Sequence, residues 1–349
     1  MRHKQFGARL TKSLIAGYQH SPNWREGKFQ NLEHTELSIP INKIPGILYK
    51  QIANKGGREP GRPLPVVPFN RSAFLDTSES PTFIWYGHSV VLMRMDNKTL
   101  LIDPMLGPNA SPIAPVTTRR FSENTLNLID EFPEIDLMLL THDHYDHLDL
   151  ASIEKLRHKT KQYFVALGVK RHLVHWGIAA DSITEFDWWD ARSFGNINVT
   201  FTPTRHFSGR GLTDRAKSLW GGWAFKTPGE NVWFSGDSGY GSHFTEIGRR
   251  LGPFDFAFME CGQYNENWSQ IHMFPEESVQ AAIDAGAGRV MPVHWAGFSL
   301  APHTWTEPAE RFVEEAGRKN LPIHLPQIGQ QFQTSSQIQE KWWNGKTPD

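Results

Sequence analysis

The chain has 349 residues, 39% of them hydrophobic and 21% charged, enough for one large domain or two small ones with a sizeable core. Lys and Arg together number 36 and Asp and Glu 37, for a net charge of -1, which argues against a dedicated nucleic-acid binder. The single cysteine, Cys261, excludes a disulfide framework within the chain and any multi-cysteine metal site, so a metal centre must draw on carboxylates and the 16 histidines.

At the N-terminus, Arg2, Lys4, Arg9 and Lys12 precede the first acid, Glu26, and Phe6, Leu10 and Leu14 recur at a spacing that predicts one apolar stripe on a helix. Such a stripe can dock on its own domain or make peripheral contact with an anionic membrane. It lies far in sequence from every candidate ligand below, so residues 1–18 are expected to be dispensable for turnover of a small soluble substrate. No unbroken apolar segment long enough for a signal or a span is present, and a cytoplasmic location is expected. Residues 20–75, rich in Pro, Gly, Asn and charge, read as an irregular arm over the domain surface.

From about residue 82 the character changes. Segments 83–87, 89–95 and 99–103 are β-rich, with a turn at Asp96-Asn97-Lys98 that predicts a hairpin. The apolar run 135–141 predicts a buried strand, followed by a helix at 150–157, a strand at 163–167 and a short helix at 169–176. Further strands are expected at 198–204, 220–226, 231–237, 254–260 and 289–294, with helices at 275–286 and 307–318. Strands first and a mixture later favour an α/β sandwich, two sheets face to face with helices outside.

The chemistry-bearing segment is Thr-His-Asp-His-Tyr-Asp-His-Leu-Asp at 141–149, immediately after the buried strand. In a loop leaving a strand, alternate side chains splay to two sides. His142 and His144 can then grip one ion, while Asp146 and His147 face a second. Imidazole and carboxylate without thiolate suit zinc, iron or manganese in a hydrolytic site. His206, Asp237 and His294 each follow a predicted strand, so all these ligand types can converge on one edge of the sandwich.

The order HxHxDH, then His, then Gly-Asp, then His resembles the metallo-β-lactamase superfamily. The segments FIWYGHSVVLMRMDNKTLLIDPMLG, THDHYDHLD, TPTRHFSGRG, FSGDSGYGSHF, IHMFPEES and MPVHWAGF are similar to its N-acyl-phosphatidylethanolamine phospholipase D branch and bacterial relatives. The resemblance implies a metallo-β-lactamase-like αββα sandwich, with 1–75 as an arm packed on the domain, 76–335 as the hydrolase domain and 336–349 as a tail. It implies two divalent ions, zinc first and manganese or iron as alternatives. His142, His144 and His206 would hold one, Asp146, His147 and His294 the other, and Asp237 would bridge them. Two dications sharing a water lower its pKa from about 16 toward about 7, so a bridging hydroxide is the expected nucleophile.

The expected substrate is a small-molecule or lipid phosphodiester, with no nucleic-acid partner; the oligomeric state is left open. Asp146, Asp237 and His272 are the candidate catalytic groups. By the resemblance His272 contacts substrate phosphate. Tyr145, His88 and Arg210 are further candidates for substrate contact, with packing, a buried turn and a solvated surface as their alternatives. Asp103 is a candidate acceptor that fixes a ligand ring, or a turn cap before Pro104. A lactonase or other carbonyl-ester hydrolase with the same metals, and a non-catalytic metal- or ligand-binding relative, are the competing readings. The complete ligand set argues against the latter.

Overall fold

The computed structural model describes residues 4–36, 56–76, 80–111, 118–211 and 213–344. Its N-terminal part holds helix α1 (Lys12–Tyr18), a small hairpin of β1 (Trp24–Arg25) and β2 (Lys28–Phe29), and helix α2 (Arg71–Leu75). Then follow β3 (Thr82–Trp85), β4 (Val91–Met95), β5 (Lys98–Ile102), α3 (Leu128–Glu131), β6 (Ile135–Leu140), α4 (Leu150–Leu156), β7 (Thr160–Ala166), α5 (Lys170–His175) and β8 (Ile183–Phe186). The second half contributes β9 (Ala191–Phe194), β10 (Ile197–Thr202), β11 (Gly222–Lys226), β12 (Asn231–Phe234), α6 (His243–Leu251), β13 (Phe256–Glu260), α7 (Pro275–Asp284), β14 (Val290–Val293), α8 (Glu307–Arg318) and β15 (Gln331–Gln333).

Two sheets result. One runs in the order β15-β3-β4-β5-β6-β7-β8 and the other β14-β13-β12-β11-β10-β9. The tight connection between β4 and β5 forms because Asp96 and Asn97 accept left-handed backbone, at φ 48° and 60°, the twist a two-residue hairpin needs. β6 pairs in parallel with β5 and β7. Leu137 to Leu140 are fully buried, as expected of a central parallel strand covered on both faces. The sheets meet through aromatic rings: Phe83 of β3 stacks on Phe256 at 5.5 Å and meets Phe258 edge-on at 5.3 Å, both on β13. Helix α4 starts where Asp149 accepts the Ser152 N–H at 2.8 Å, an N-cap worth about 1 kcal/mol.

The α/β sandwich expected from the sequence is the architecture found. β8, β9, β15 and α6 were not anticipated. Ala191–Phe194 has no residue buried deeply enough to leave an alternating signal, and Gly248 inside α6 weakens its helical signal. The N-terminal stripe is corrected. Phe6 ends a three-residue 3-10 turn, Gly7 turns the chain at φ 66°, and α1 begins only at Lys12, so no single helix carries the three residues. Leu10 and Leu14 instead pack half-buried against the core. The irregular reading of 20–75 falls partly on 37–55, which lie outside the described residues, as do 1–3 and 345–349. The expected tail is docked up to residue 344: Trp342 stacks on Trp295 at 5.6 Å, and the Trp343 indole N–H donates to Glu310 at 2.5 Å. Among the described residues, no helix is long and apolar enough to cross a membrane.

Candidate metal centre

The site is built at strand ends. β6 leads into Thr141–His147, β10 to His206, β12 to Asp237 and β14 to His294, while β13 finishes on Glu260. From the other side β5 leads to Asp103 and β3 to His88. Three of these residues leave their strands through left-handed backbone: His88 at φ 53°, Asp103 at 42° and His294 at 66°. That conformation costs a non-glycine residue on the order of 1–3 kcal/mol, and such strain collects where side chains must be aimed. Asp237 is aimed differently. Gly236 before it sits at φ 65°, and a Cβ there would meet the Gly221 carbonyl oxygen at 2.3 Å, so only glycine makes this turn.

Asp237 Oδ2 is the point of convergence. It lies 3.1 Å from both His147 Nε2 and His294 Nε2, 3.9 Å from His142 Nε2 and 3.8 Å from His206 Nε2. His144 Nδ1 lies 2.9 Å from His142 Nε2 and 3.2 Å from His206 Nε2. Two nitrogens each about 2.0–2.1 Å from one tetrahedral zinc are roughly 3.3 Å apart, so these separations are close to the edges of a ligand cage. On the other side, Asp146 Oδ2 is 3.6 Å from His147 Nε2 and 3.5 Å from His294 Nε2. His147 Nε2 and His294 Nε2 are buried yet lack an aligned hydrogen-bond partner, as ligand lone pairs would.

The electrostatics agree. Burial drives His142 and His206 well below the ordinary histidine range and His144 to about 4, which leaves neutral, lone-pair-bearing rings. Burial works the same way on His147 and His294, but Asp237 and Asp146 outweigh it and raise both, His294 to about 10. Two buried carboxylates thus concentrate negative charge against these two rings, the environment that suits a cation. The donor set fits divalent metal.

A family profile described as a β-lactamase superfamily domain matches residues 98–295, more than half of the chain. The chain belongs to that superfamily. As a member with this ligand cluster, it is a metal-dependent hydrolase. An uncharacterised protein of Mycobacterium tuberculosis is 35% identical, covering 95% of this chain and 90% of its own length. The N-acyl-phosphatidylethanolamine-hydrolyzing phospholipase D 1 of Caenorhabditis elegans is 31% identical over 68% of this chain and 70% of the relative. Among solved structures, the metallo hydrolase Igni18 of Ignicoccus hospitalis aligns at TM-score 0.58 and 19% identity over 72% of this chain and 97% of its own. The diiron β-hydroxylase CmlA of Streptomyces venezuelae aligns at TM-score 0.55 and 19% identity, over 74% and 55%. Both likenesses concern the fold.

The superfamily cluster opens into a cavity of about 540 Å³ lined by His144, Asp146, Asp237, His272 and His294, with His142, His147 and His206 buried behind them. Asp103 lies beneath His147: it accepts the ring Nδ1–H at 2.8 Å, the Thr141 N–H at 2.8 Å and the Thr141 hydroxyl at 2.6 Å. Asp103→Asn would turn an amide N–H toward the His147 ring and force the tautomer whose Nε2 carries the proton. Metal affinity is expected to fall roughly 10–100-fold; a chelator-competition titration that gives wild-type affinity would refute this role.

Three expected substrate contacts lie elsewhere. Arg210 is buried; its guanidinium donates to the carbonyls of Asp143 and Leu148, each at 2.7 Å, and sits 4.0 Å over the Tyr145 ring. Its donors serve backbone carbonyls of the metal loop and of Gln5, and Arg210 is not among the cavity's lining residues. The Tyr145 hydroxyl donates to the Arg210 carbonyl, so Tyr145 belongs to the same brace. His88 is fully buried, with Nε2 2.9 Å from Asp146 Oδ2 and its ring 4.2 Å from that of His294; it orients a carboxylate rather than meeting substrate. His272 does line the cavity, and its Nδ1–H donates to Glu260. Sequence reasoning passed over Glu260, although an acid closing an apolar strand was the same signal that marked the other ligands. It also passed over Asp143, which accepts the Gly209 N–H at 2.7 Å and the Ser218 hydroxyl at 2.6 Å.

Proposed function

We propose that the chain is a binuclear phosphodiesterase of the N-acyl-phosphatidylethanolamine phospholipase D type. His142, His144 and His206 hold one divalent ion, Asp146, His147 and His294 the second, and Asp237 both; zinc is the first choice of metal. The observation that carries the binuclear reading is the position of Asp237 Oδ2 between the two histidine sets, within 3.9 Å of four ring nitrogens. The phosphodiester reading draws support from relatives of that name at 31% and 30% identity, in Caenorhabditis elegans and Saccharomyces cerevisiae. It also suits the cavity, whose walls include Phe207, Trp268, Ile271 and Leu300, with Arg215 4.8 Å over the Phe207 ring. An apolar wall carrying a guanidinium beside the cluster of metal-ligating residues fits a substrate with an apolar part and a phosphate.

When bound, two divalent ions supply Lewis acidity and an activated water. The chain's own groups do the rest. Asp237 and Asp146 place negative charge against the ions and can orient an attacking water by accepting its hydrogen bond. With Nδ1 engaged by Glu260, His272 leaves Nε2 to hold a proton for the departing oxygen. Burial pushes Glu260 up to about 7, though His272 beside it pulls the other way.

The test is a panel on metal-replete protein: an aryl phosphodiester, a lactone and an N-acyl phospholipid. Turnover of the phosphodiesters with little of the lactone is the expected result. Lactone turnover with no phosphodiester turnover would move the assignment to carbonyl-ester hydrolysis.

A further inference from the structure

Resting on the binuclear reading, we propose that the N-terminal arm is a positioning element for one of the two ions. It clamps the loops that carry His142, His144 and His206. The Asp146, His147 and His294 half is held from within the domain by Asp103 and His88.

Two separate contacts make the clamp. The first is Asn31, whose side-chain amide pairs with the peptide groups on both sides of His206. Its Nδ2–H donates to the His206 carbonyl at 2.9 Å, and the His206 N–H donates to its Oδ1 at 3.0 Å. The Trp220 indole N–H donates to the same Oδ1 at 2.9 Å, which fixes that end of the amide as the oxygen. Asn31 thereby does for a ligand beyond the end of β10 what a neighbouring strand does within a sheet. The His206 ring is set as well, since its Nδ1–H donates to the Ile271 carbonyl at 2.9 Å. With backbone and ring both fixed, Nε2 is held toward His144.

The second contact is the turn at residues 4–8. The Arg210 guanidinium donates to the Gln5 carbonyl from Nε at 3.0 Å and from Nη2 at 2.9 Å, and from Nη1 to the Asp143 carbonyl at 2.7 Å. It is a rigid fork with one side on the arm and the other on the metal loop. The Ala8 N–H donates to His172 Nδ1 at 3.1 Å, so the ring proton sits on Nε2, which donates to Asp143 Oδ2 at 3.2 Å. The Trp176 indole N–H closes the turn on the Lys4 carbonyl at 2.9 Å. Asp143 lies between His142 and His144, so each link ends one residue from a ligand. Residues 4–8, remote in sequence, thus reach within one residue of the ligands in space, and on this proposal removing the arm weakens the first ion, against the expectation that it is dispensable.

The experiment uses the full-length chain with one arm residue changed at a time. Asn31→Leu keeps approximate size and removes both peptide contacts. Gly7→Ala places a Cβ 1.9 Å from His172 Nδ1, at a φ of 66°, and dislodges the turn. Zinc binding is titrated stepwise against a competing chelator, with cobalt(II) absorption as a second readout; the step lost in His147→Ala identifies the second ion. The expected result is that the first ion binds roughly 10–100-fold more weakly in Asn31→Leu while the second is unchanged. A melting temperature near wild type is expected alongside. Gly7→Ala is expected to weaken the first ion too, with some loss at the second, because Arg210 also donates to the Leu148 carbonyl beside His147 at 2.7 Å. The clamp is overturned if folded Asn31→Leu binds both ions as wild type does, or loses both to the same degree. Unmodified protein that takes up fewer than two ions would instead defeat the binuclear reading on which the clamp rests.

Discussion

Asp237→Asn is expected to lower kcat by roughly a thousandfold or more, about 4 kcal/mol of transition-state stabilisation, and to weaken one ion. The substitution keeps the side chain's shape and removes the negative charge that faces four histidine nitrogens. A neutral amide is a poor bridge between dications and a poor acceptor for an attacking water. Folding should suffer less than catalysis, because losing a cation relieves part of the repulsion that the missing charge leaves behind. Kinetics, thermal melting and metal content on one sample separate these effects. Phosphodiester turnover within about tenfold of wild type would show that Asp237 is not the bridge.

His147→Ala and His294→Ala should each empty the second site and leave the first. Both rings face Asp146 and Asp237, whereas His142, His144 and His206 form a cage of their own. The remaining ion keeps three imidazole ligands, so one equivalent of metal should stay bound. Loss of one Lewis acid should still cut kcat by roughly a hundredfold or more, about 2.7 kcal/mol. Metal titration in which both ions leave with equal ease would contradict the division of ligands.

Much of this centre was legible in the sequence because its chemistry sits in short, regular contexts. An apolar strand followed at once by His142, His144, Asp146 and His147 announces itself, and His206, Asp237 and His294 repeat the pattern of a ligand after a strand. The sandwich was legible for the same reason: buried strands such as Ile135–Leu140 are continuous apolar runs. What escaped depends on which way a side chain points. Arg210 has the composition of a phosphate ligand, but its guanidinium is spent on the carbonyls of Gln5, Asp143 and Leu148. Tyr145 stands between two ligands and turns away from them to the Arg210 carbonyl. Asn31 closes the arm segment SPNWREGKFQN, which resembles the phospholipase branch, but its sequence assigns Asn31 no contact. Its role exists only because the fold lays the arm along the loop after β10, a long-range juxtaposition that spacing rules do not reach.

The measurement that tests the central claim most directly is the metal content of full-length protein purified without chelator, by elemental analysis against a quantified protein concentration. Two divalent ions per chain, with zinc foremost, falling to one in His147→Ala, is the predicted result. Protein that carries no transition metal and takes up none on addition would contradict it.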